Sequence, residues 1–148
     1  MPTEAPSVIV LAGPNGAGKS TMAAKLVTEV SDVAPFVAQF VDADVIARGY
    51  EFHLVFLRLP SPDLAVTRVA QRVRVGGHDV PEATIRRRYR SGLRNFFELY
   101  RPLTTTWRMY DNALGRPRLI ASGAKARVLS VNDPESWNRI LVEVERGD

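Results

Sequence analysis

The sequence of 148 residues contains no cysteine and only two histidines. The missing cysteines exclude disulfide bonds, thiol catalysis and cysteine-ligated metal, and they suit a cytoplasmic protein. With so few histidines as well, a dedicated transition-metal site is not expected. No apolar run comes near the ~20 residues that a membrane-spanning helix needs, so no membrane partner is expected. Nor does the N-terminus read as a signal peptide, because no basic segment precedes Val8 and the apolar run there is short. Internal repeats, linkers and low-complexity tracts are lacking too. The remaining composition, 45% hydrophobic and 24% charged, is that of an ordinary globular chain. Its length fits a single domain over residues 1–148.

What is present begins with Val8-Ile9-Val10-Leu11-Ala12, an apolar run that reads as a buried strand. Residues 13–20 then fit the spacing G-x-x-x-x-G-K-[ST], and residues 22–30 continue as a helix. Glycines at 13, 16 and 18 let the backbone curl until successive N–H groups face inward. The helix that starts near Lys19 adds the positive end of its dipole to the same spot. Such a loop suits a triphosphate chain. Gly13, Pro14, Asn15, Gly16, Ala17, Gly18, Lys19, Ser20 and Thr21 are therefore the candidate ATP-binding residues. Lys19 can reach the β- and γ-phosphates, and the Ser20 hydroxyl suits a Mg²⁺ ligand.

Beyond the first helix, residues 36–41 read as a second strand, with Asp42 and Asp44 at its C-terminal end and a helical stub at 45–48. Residues 52–59 are apolar enough for a buried parallel strand. Ser61 caps a helix that has Pro62 in its first position, repeats Leu64, Val69 and Val73 on one face, and ends at Gly76-Gly77. Pro81 opens another helix, in which Ile85, Tyr89, Leu93, Phe96, Phe97 and Tyr100 form an apolar stripe. Short strands follow at 109–110, 119–121 and 128–131. Asp133-Pro134-Glu135 starts a last helix with Trp137, Ile140, Leu141 and Val144 on it. Strands alternating with helices predict an α/β three-layer sandwich with a mainly parallel sheet, as in P-loop NTPases and kinases.

The charge is unevenly placed. Basic residues outnumber acidic ones by 20 to 16, and Arg68, Arg72, Arg74, Arg86, Arg87, Arg88, Arg90, Arg94 and Arg101 fall in one segment. Arg86, Arg90 and Arg94 lie at i, i+4 and i+8, a stripe beside the apolar face. Phosphoryl transfer spreads negative charge over the γ-phosphate, and guanidinium groups on a helical lid, here about residues 72–95, can meet it. A carboxylate must also orient or deprotonate the acceptor hydroxyl. Asp44 is the candidate base and Asp42 the reserve, both at the sheet edge where such folds hold ligands; Asp44 also suits a helix cap. Asp111-Asn112 could line an adenine pocket or form an Asx turn, and the residues alone leave both open. A nucleic-acid partner needs exposed aromatics among the basic residues, whereas Tyr89, Phe96, Phe97 and Tyr100 are assigned to the core.

Taken together, these residues resemble the zeta-toxin family of small P-loop kinases, in particular its short bacterial branch of predicted ATPases. The likeness rests on residues 12–21, on Asp42-Ala43-Asp44-Val45-Ile46-Ala47, on residues 53–57 and on residues 107–112. Its specific part is Arg72 followed by Gly76-Gly77-His78-Asp79-Val80-Pro81, then Arg87-Arg88-Tyr89 with Asn95. The resemblance implies ATP- and Mg²⁺-dependent phosphorylation of a hydroxyl on a small-molecule acceptor. In the best-known members that acceptor is the nucleotide sugar UDP-N-acetylglucosamine, and a small antitoxin protein restrains the enzyme. By resemblance, Lys19 and Ser20 hold phosphates and metal, Asp44 matches the catalytic aspartate, and Arg72, Arg87 and Arg88 match lid positions. The family also carries an internal segment, including a Glu-Thr-Thr-like acceptor-binding stretch, that this chain lacks between Arg48 and Phe52. Around Gly49-Tyr50 the link from a strand ending at 41 is accordingly shorter than the dozen or so residues of a parallel crossover. The competing reading is an ATPase or nucleotide-binding module that phosphorylates no acceptor. Against it, the chain has neither an LSGGQ-like signature nor an apolar strand ending in Asp-Glu.

Overall fold

The computed structural model describes residues 5–29 and 49–147, for residues 26–29 the backbone alone. Strand β1 (Ser7–Ala12) runs through the glycine-rich loop into helix α1 (Lys19–Glu29). Strand β2 (Glu51–Arg58) lies parallel beside β1, with Ser7 opposite Glu51 and Ala12 opposite Phe56. The Glu51 N–H donates to the Pro6 carbonyl at 2.8 Å and fixes where β2 begins. Strand β3 (Thr106–Asp111) continues the parallel set on the other side of β2, from His53 opposite Thr106 to Arg58 opposite Asp111. Strands β4 (Arg118–Ala124) and β5 (Arg127–Val131) then add in antiparallel fashion, giving the order β1-β2-β3-β4-β5.

The expected mainly parallel sheet is thereby corrected to a mixed one. Connector length is the reason. Residues 112–117 join β3 to β4, and residues 125–126 alone join β4 to β5. Both links fall well below the dozen or so residues of a parallel crossover, so each strand must turn back on its predecessor. Lys125 takes the left-handed conformation, φ 52°, in the two-residue turn. From β1 to β2, by contrast, the chain has α1 and residues 30–50 to cross over with. The strand expected at 36–41, the stub at 45–48, and Asp42 and Asp44 lie outside the described residues.

Side chains alternate across a strand, and β2 uses both of its faces. Phe52, Leu54 and Phe56 pack with Trp107, Met109, Ile120, Ala121, Trp137 and Ile140. Val55 and Leu57 point the other way, toward Ala17, Met22, Ala65 and Val69. Helices therefore cover both faces. On one face sits α4 (Pro134–Arg146), capped by the Asp133 carboxylate, which accepts the Ser136 N–H at 3.1 Å. On the other sits α2 (Pro62–Arg74), where the Ser61 hydroxyl accepts the Leu64 N–H at 3.2 Å. Among the described residues no helix is long and apolar enough to cross a membrane.

The apolar stripe of α3 (Glu82–Asn95) is shared between the two cores: Ile85 and Tyr89 join the α2 side, Leu93 and Phe96 the α4 side. Tyr89 donates its hydroxyl to the Leu59 carbonyl at 2.7 Å, and burial pushes its pKa up to about 12. Tyr100, expected on the same stripe, is instead 40% exposed. A π-helical turn over Phe96–Tyr100 widens the helix and breaks the 3.6-residue phase after Phe97.

Trp107 is the hub of the larger core. It is fully buried, meets Phe96 edge-on at 5.4 Å, stacks on Trp137 at 5.9 Å, and donates its indole N–H to the Lys125 carbonyl at 3.0 Å. The ring fits because Gly123 has no side chain. A Cβ there would stand 2.5 Å from the Trp107 ring and 2.1 Å from the Arg127 carbonyl. Gly123→Ala should therefore destabilise the fold by about 1–3 kcal/mol through overpacking. Urea denaturation measures this, and an unchanged midpoint would refute the packing assignment.

Candidate functional site

The glycine-rich loop leaves β1 at the C-terminal edge of the three parallel strands, beside the ends of β2 and β3. It is pressed against both neighbours. A Cβ on Gly13 (φ 147°) would lie 2.3 Å from the Leu57 carbonyl, and one on Gly18 (φ 90°) would lie 2.5 Å from the Asn112 amide nitrogen. Only glycine combines such a φ with such an approach. The first bond of α1 runs from the Met22 N–H to the Gly18 carbonyl at 3.0 Å. The N–H groups of Lys19, Ser20 and Thr21 consequently have no acceptor within the helix and add to its positive end.

A loop whose amides face inward must dispose of its carbonyls elsewhere. Lys19 Nζ donates to the Gly13 carbonyl at 2.6 Å and to the Pro14 carbonyl at 3.0 Å. Arg68, from α2, donates through Nη1 to the Gly16 carbonyl at 3.1 Å. Asn112, just past the end of β3, donates through Nδ2 to the Ala17 carbonyl at 2.7 Å. In a planar trans peptide unit the C=O and N–H point in opposite directions. Holding the Ala17 carbonyl toward Asn112 therefore turns the Gly18 N–H away from Asn112.

Of the two residues left with open readings, Asp111 makes the Asx turn: its carboxylate accepts the Ala113 N–H at 2.8 Å. Asn112 does something the sequence did not disclose. It is buried, and it holds the loop. Arg68 was legible only as one charge among nine, although its Nη2 also donates to the Asn112 and Ala113 carbonyls at 2.7 and 2.6 Å. The available signal was position alone, one turn before Arg72 on the same helix.

Two of the expected lid arginines act on the loop's lysine through their charge. Burial, then the charges of Arg72 and Arg88, hold the Lys19 ammonium below its ordinary pKa. Arg72 comes from the last turn of α2 and Arg88 from α3, and both are exposed. The turn after α2 is folded onto Arg72. Its Nη2 donates to the His78 carbonyl at 3.3 Å, and its carbonyl accepts the Gly77 N–H at 2.8 Å. Arg87 is exposed, and its charge is not among those acting on Lys19. Arg86 is engaged structurally, 2.9 Å from Glu82 and 2.7 Å from Asp63, where it pins α3 to α2.

Pro14 and Ala17 are buried, Asn15 is half-buried, and Ser20 and Thr21 are exposed. Among the described residues no group of three or more His, Asp or Glu side chains could hold a metal ion. A cleft of about 380 Å³ opens beside the same sheet edge, lined by Arg58, Asp111, Arg118, Asp133 and Arg139 among others. Its charges pair with one another, Arg118 lying 3.2 Å from Asp133 and 3.8 Å from Asp111.

No protein-family model matches the chain, and no curated protein matches its sequence. Solved structures do share its fold. They are chains from crystals of the AvrRxo1-ORF1:AvrRxo1-ORF2 complex: with sulphate ions (13% identity, TM-score 0.58), native (12%, 0.62) and with ATP (15%, 0.55). Each likeness covers 92% of this chain but 63% of the other, so this chain spans less than two thirds of those neighbours.

The Lys19 environment makes a direct prediction. Arg72→Met and Arg88→Met should each raise the Lys19 pKa toward 10.5, and the double variant should still fall short because burial is the larger cause. Carbon NMR of the dimethylated protein can follow it, since Lys25 and Lys125 are the only other lysines. A double variant with an unmoved Lys19 titration would remove both arginines from the site.

Proposed function

We propose that this chain binds ATP at the glycine-rich loop and transfers its γ-phosphoryl group to the hydroxyl of a small molecule. The observation that carries the reading is the glycine-rich loop at the head of α1, whose carbonyls are held by Lys19, Arg68 and Asn112. A loop of this kind, the N-terminus of α1 and Lys19 come together there, and the charges of Arg72 and Arg88 act on the same ammonium, which suits the polyanion that phosphoryl transfer requires. A fold neighbour crystallised with ATP supports the choice of nucleotide.

In this reading the N–H groups of residues 15, 16 and 18–20 cradle the phosphates, and the Lys19 ammonium, held at the mouth of the loop by the Gly13 and Pro14 carbonyls, faces the phosphate oxygens. Arg72, Arg88 and, one position along α3, Arg87 neutralise the charge that develops on the γ-phosphate. Ser20 fits Mg²⁺, since its hydroxyl stands exposed in the first turn of α1. Mg²⁺, when bound, would draw charge from the phosphate oxygens and keep most of its other ligands as water and phosphate. Asp44 is proposed as the base for the acceptor hydroxyl, with Asp42 in reserve. The zeta-toxin resemblance makes a UDP-N-acetylsugar the first acceptor to try and a small antitoxin the first protein partner. That the neighbours are two-protein complexes is in keeping with such a partner.

Incubation with ATP labelled in its γ-phosphate and a panel of hydroxyl acceptors tests the proposal. A labelled small molecule is the expected product, whereas free phosphate alone would support the ATPase reading instead. Lys19→Ala should abolish nucleotide binding, and unchanged affinity by calorimetry in that variant would falsify the site. Asp44→Asn should bind ATP normally and lose transfer; full turnover would leave Asp44 as a helix cap.

A further inference from the structure

Among the described residues Arg68 answers more carbonyls around the loop than any other side chain. One guanidinium donates three hydrogen bonds, all to main-chain carbonyls: Gly16 in the loop at 3.1 Å, and Asn112 and Ala113 past β3 at 2.7 and 2.6 Å. The first contact faces the loop's inner geometry. With the Gly16 carbonyl held toward α2, the Ala17 N–H of the same peptide unit is turned away, and it meets the Pro14 carbonyl at 3.2 Å. That bond closes the turn of the loop. The other two contacts set the backbone from which Asn112 reaches the Ala17 carbonyl. Gly16 (φ 79°) allows the approach, because a Cβ there would come within 2.9 Å of the Arg68 Cβ.

Arg68 also sits one helical turn before Arg72 on α2. The side chain that shapes the loop is thus carried by the same helix as Arg72. We infer that Arg68 is a positioning residue: it fixes the turn of the glycine-rich loop through the Gly16 carbonyl and ties that turn to the backbone past β3 and to α2, the helix that carries Arg72. The inference rests on the proposed phosphate role of the loop for its consequence, but not for its geometry.

Two measurements keep those apart. Amide hydrogen exchange on the ligand-free protein compares wild type with Arg68→Ala, Arg68→Gln and Arg68→Lys. Exchange over residues 13–19 should rise in all three, least in Arg68→Lys, while the Trp107 core stays protected. Lysine carries the charge but cannot span three carbonyls. Calorimetric titration with MgATP should then show affinity reduced about tenfold or more in Arg68→Ala, the scale set by hydrogen bonds to a charged group. If exchange in the loop matches wild type in every folded variant, the positioning role is wrong, whatever the protein binds. If wild type itself takes up no MgATP, the proposed function fails, and the exchange data alone still decide for or against Arg68. Should Arg68→Ala not fold, Arg68→Lys and Arg68→Gln carry the same comparison.

Discussion

A glycine-rich loop with no regular secondary structure leaves several of its carbonyls in need of donors from elsewhere. A buried carbonyl without a donor costs about 1–3 kcal/mol, so the loop keeps its shape only if something answers those oxygens. Here the donors come from three separate stretches: Lys19 from the loop itself, Arg68 from α2, and Asn112 from the end of β3. The register of the parallel strands gains its purpose from this. β2 must end beside the loop so that Gly13 can lie against Leu57, and β3 must end level with β2 so that Asn112 arrives under Ala17. The Asn112 N–H donating to the Arg58 carbonyl at 3.0 Å fixes that level.

The arginines, a single cluster in the sequence, divide by partner in three dimensions. Arg58, outside the cluster, is buried with Glu143 at 2.9 Å. Arg101 lies over the rings of Phe97 and Trp107, 4.9 and 5.9 Å from their centroids, and burial holds its pKa down. Arg86 is held by two carboxylates and Arg68 by three carbonyls. Arg72 and Arg88 are the ones whose charge reaches Lys19. Guanidinium suits all of these tasks, since the same planar fork binds carboxylates, carbonyls, rings and phosphates. Counting arginines could therefore suggest an anionic ligand without saying which of them meets it.

The parts legible in the sequence are those that local chemistry decides. Glycine spacing and the following helix located the loop; the Ser61 hydroxyl with Pro62, and the Asp133 carboxylate with Pro134, marked the starts of α2 and α4. The late strands were readable as strands but not as antiparallel ones, although the shortness of residues 112–117 and 125–126 held that information. What remained hidden depends on contacts far apart in the chain. Asn112 meets Ala17 across 95 positions and Arg68 meets Gly16 across 52, and no periodicity encodes either pairing. The exposure of Tyr100 escaped for a subtler reason: a π turn has the composition of an α turn, and only its hydrogen bonds tell them apart.

The concentration of cations also bears on what the site can prefer. Burial first, and then the charges of Arg72 and Arg88, disfavour the charged form of Lys19. The helices that carry those arginines are pinned to each other by Arg86 between Asp63 and Glu82, and α2 is pinned to the loop by Arg68. A neutral ligand would leave the repulsion in place. A polyanion removes it, and by linkage whatever binds the folded state alone also stabilises that state. A triphosphate should be held in preference to a nucleoside of the same base for that reason, before any contact with the base is considered.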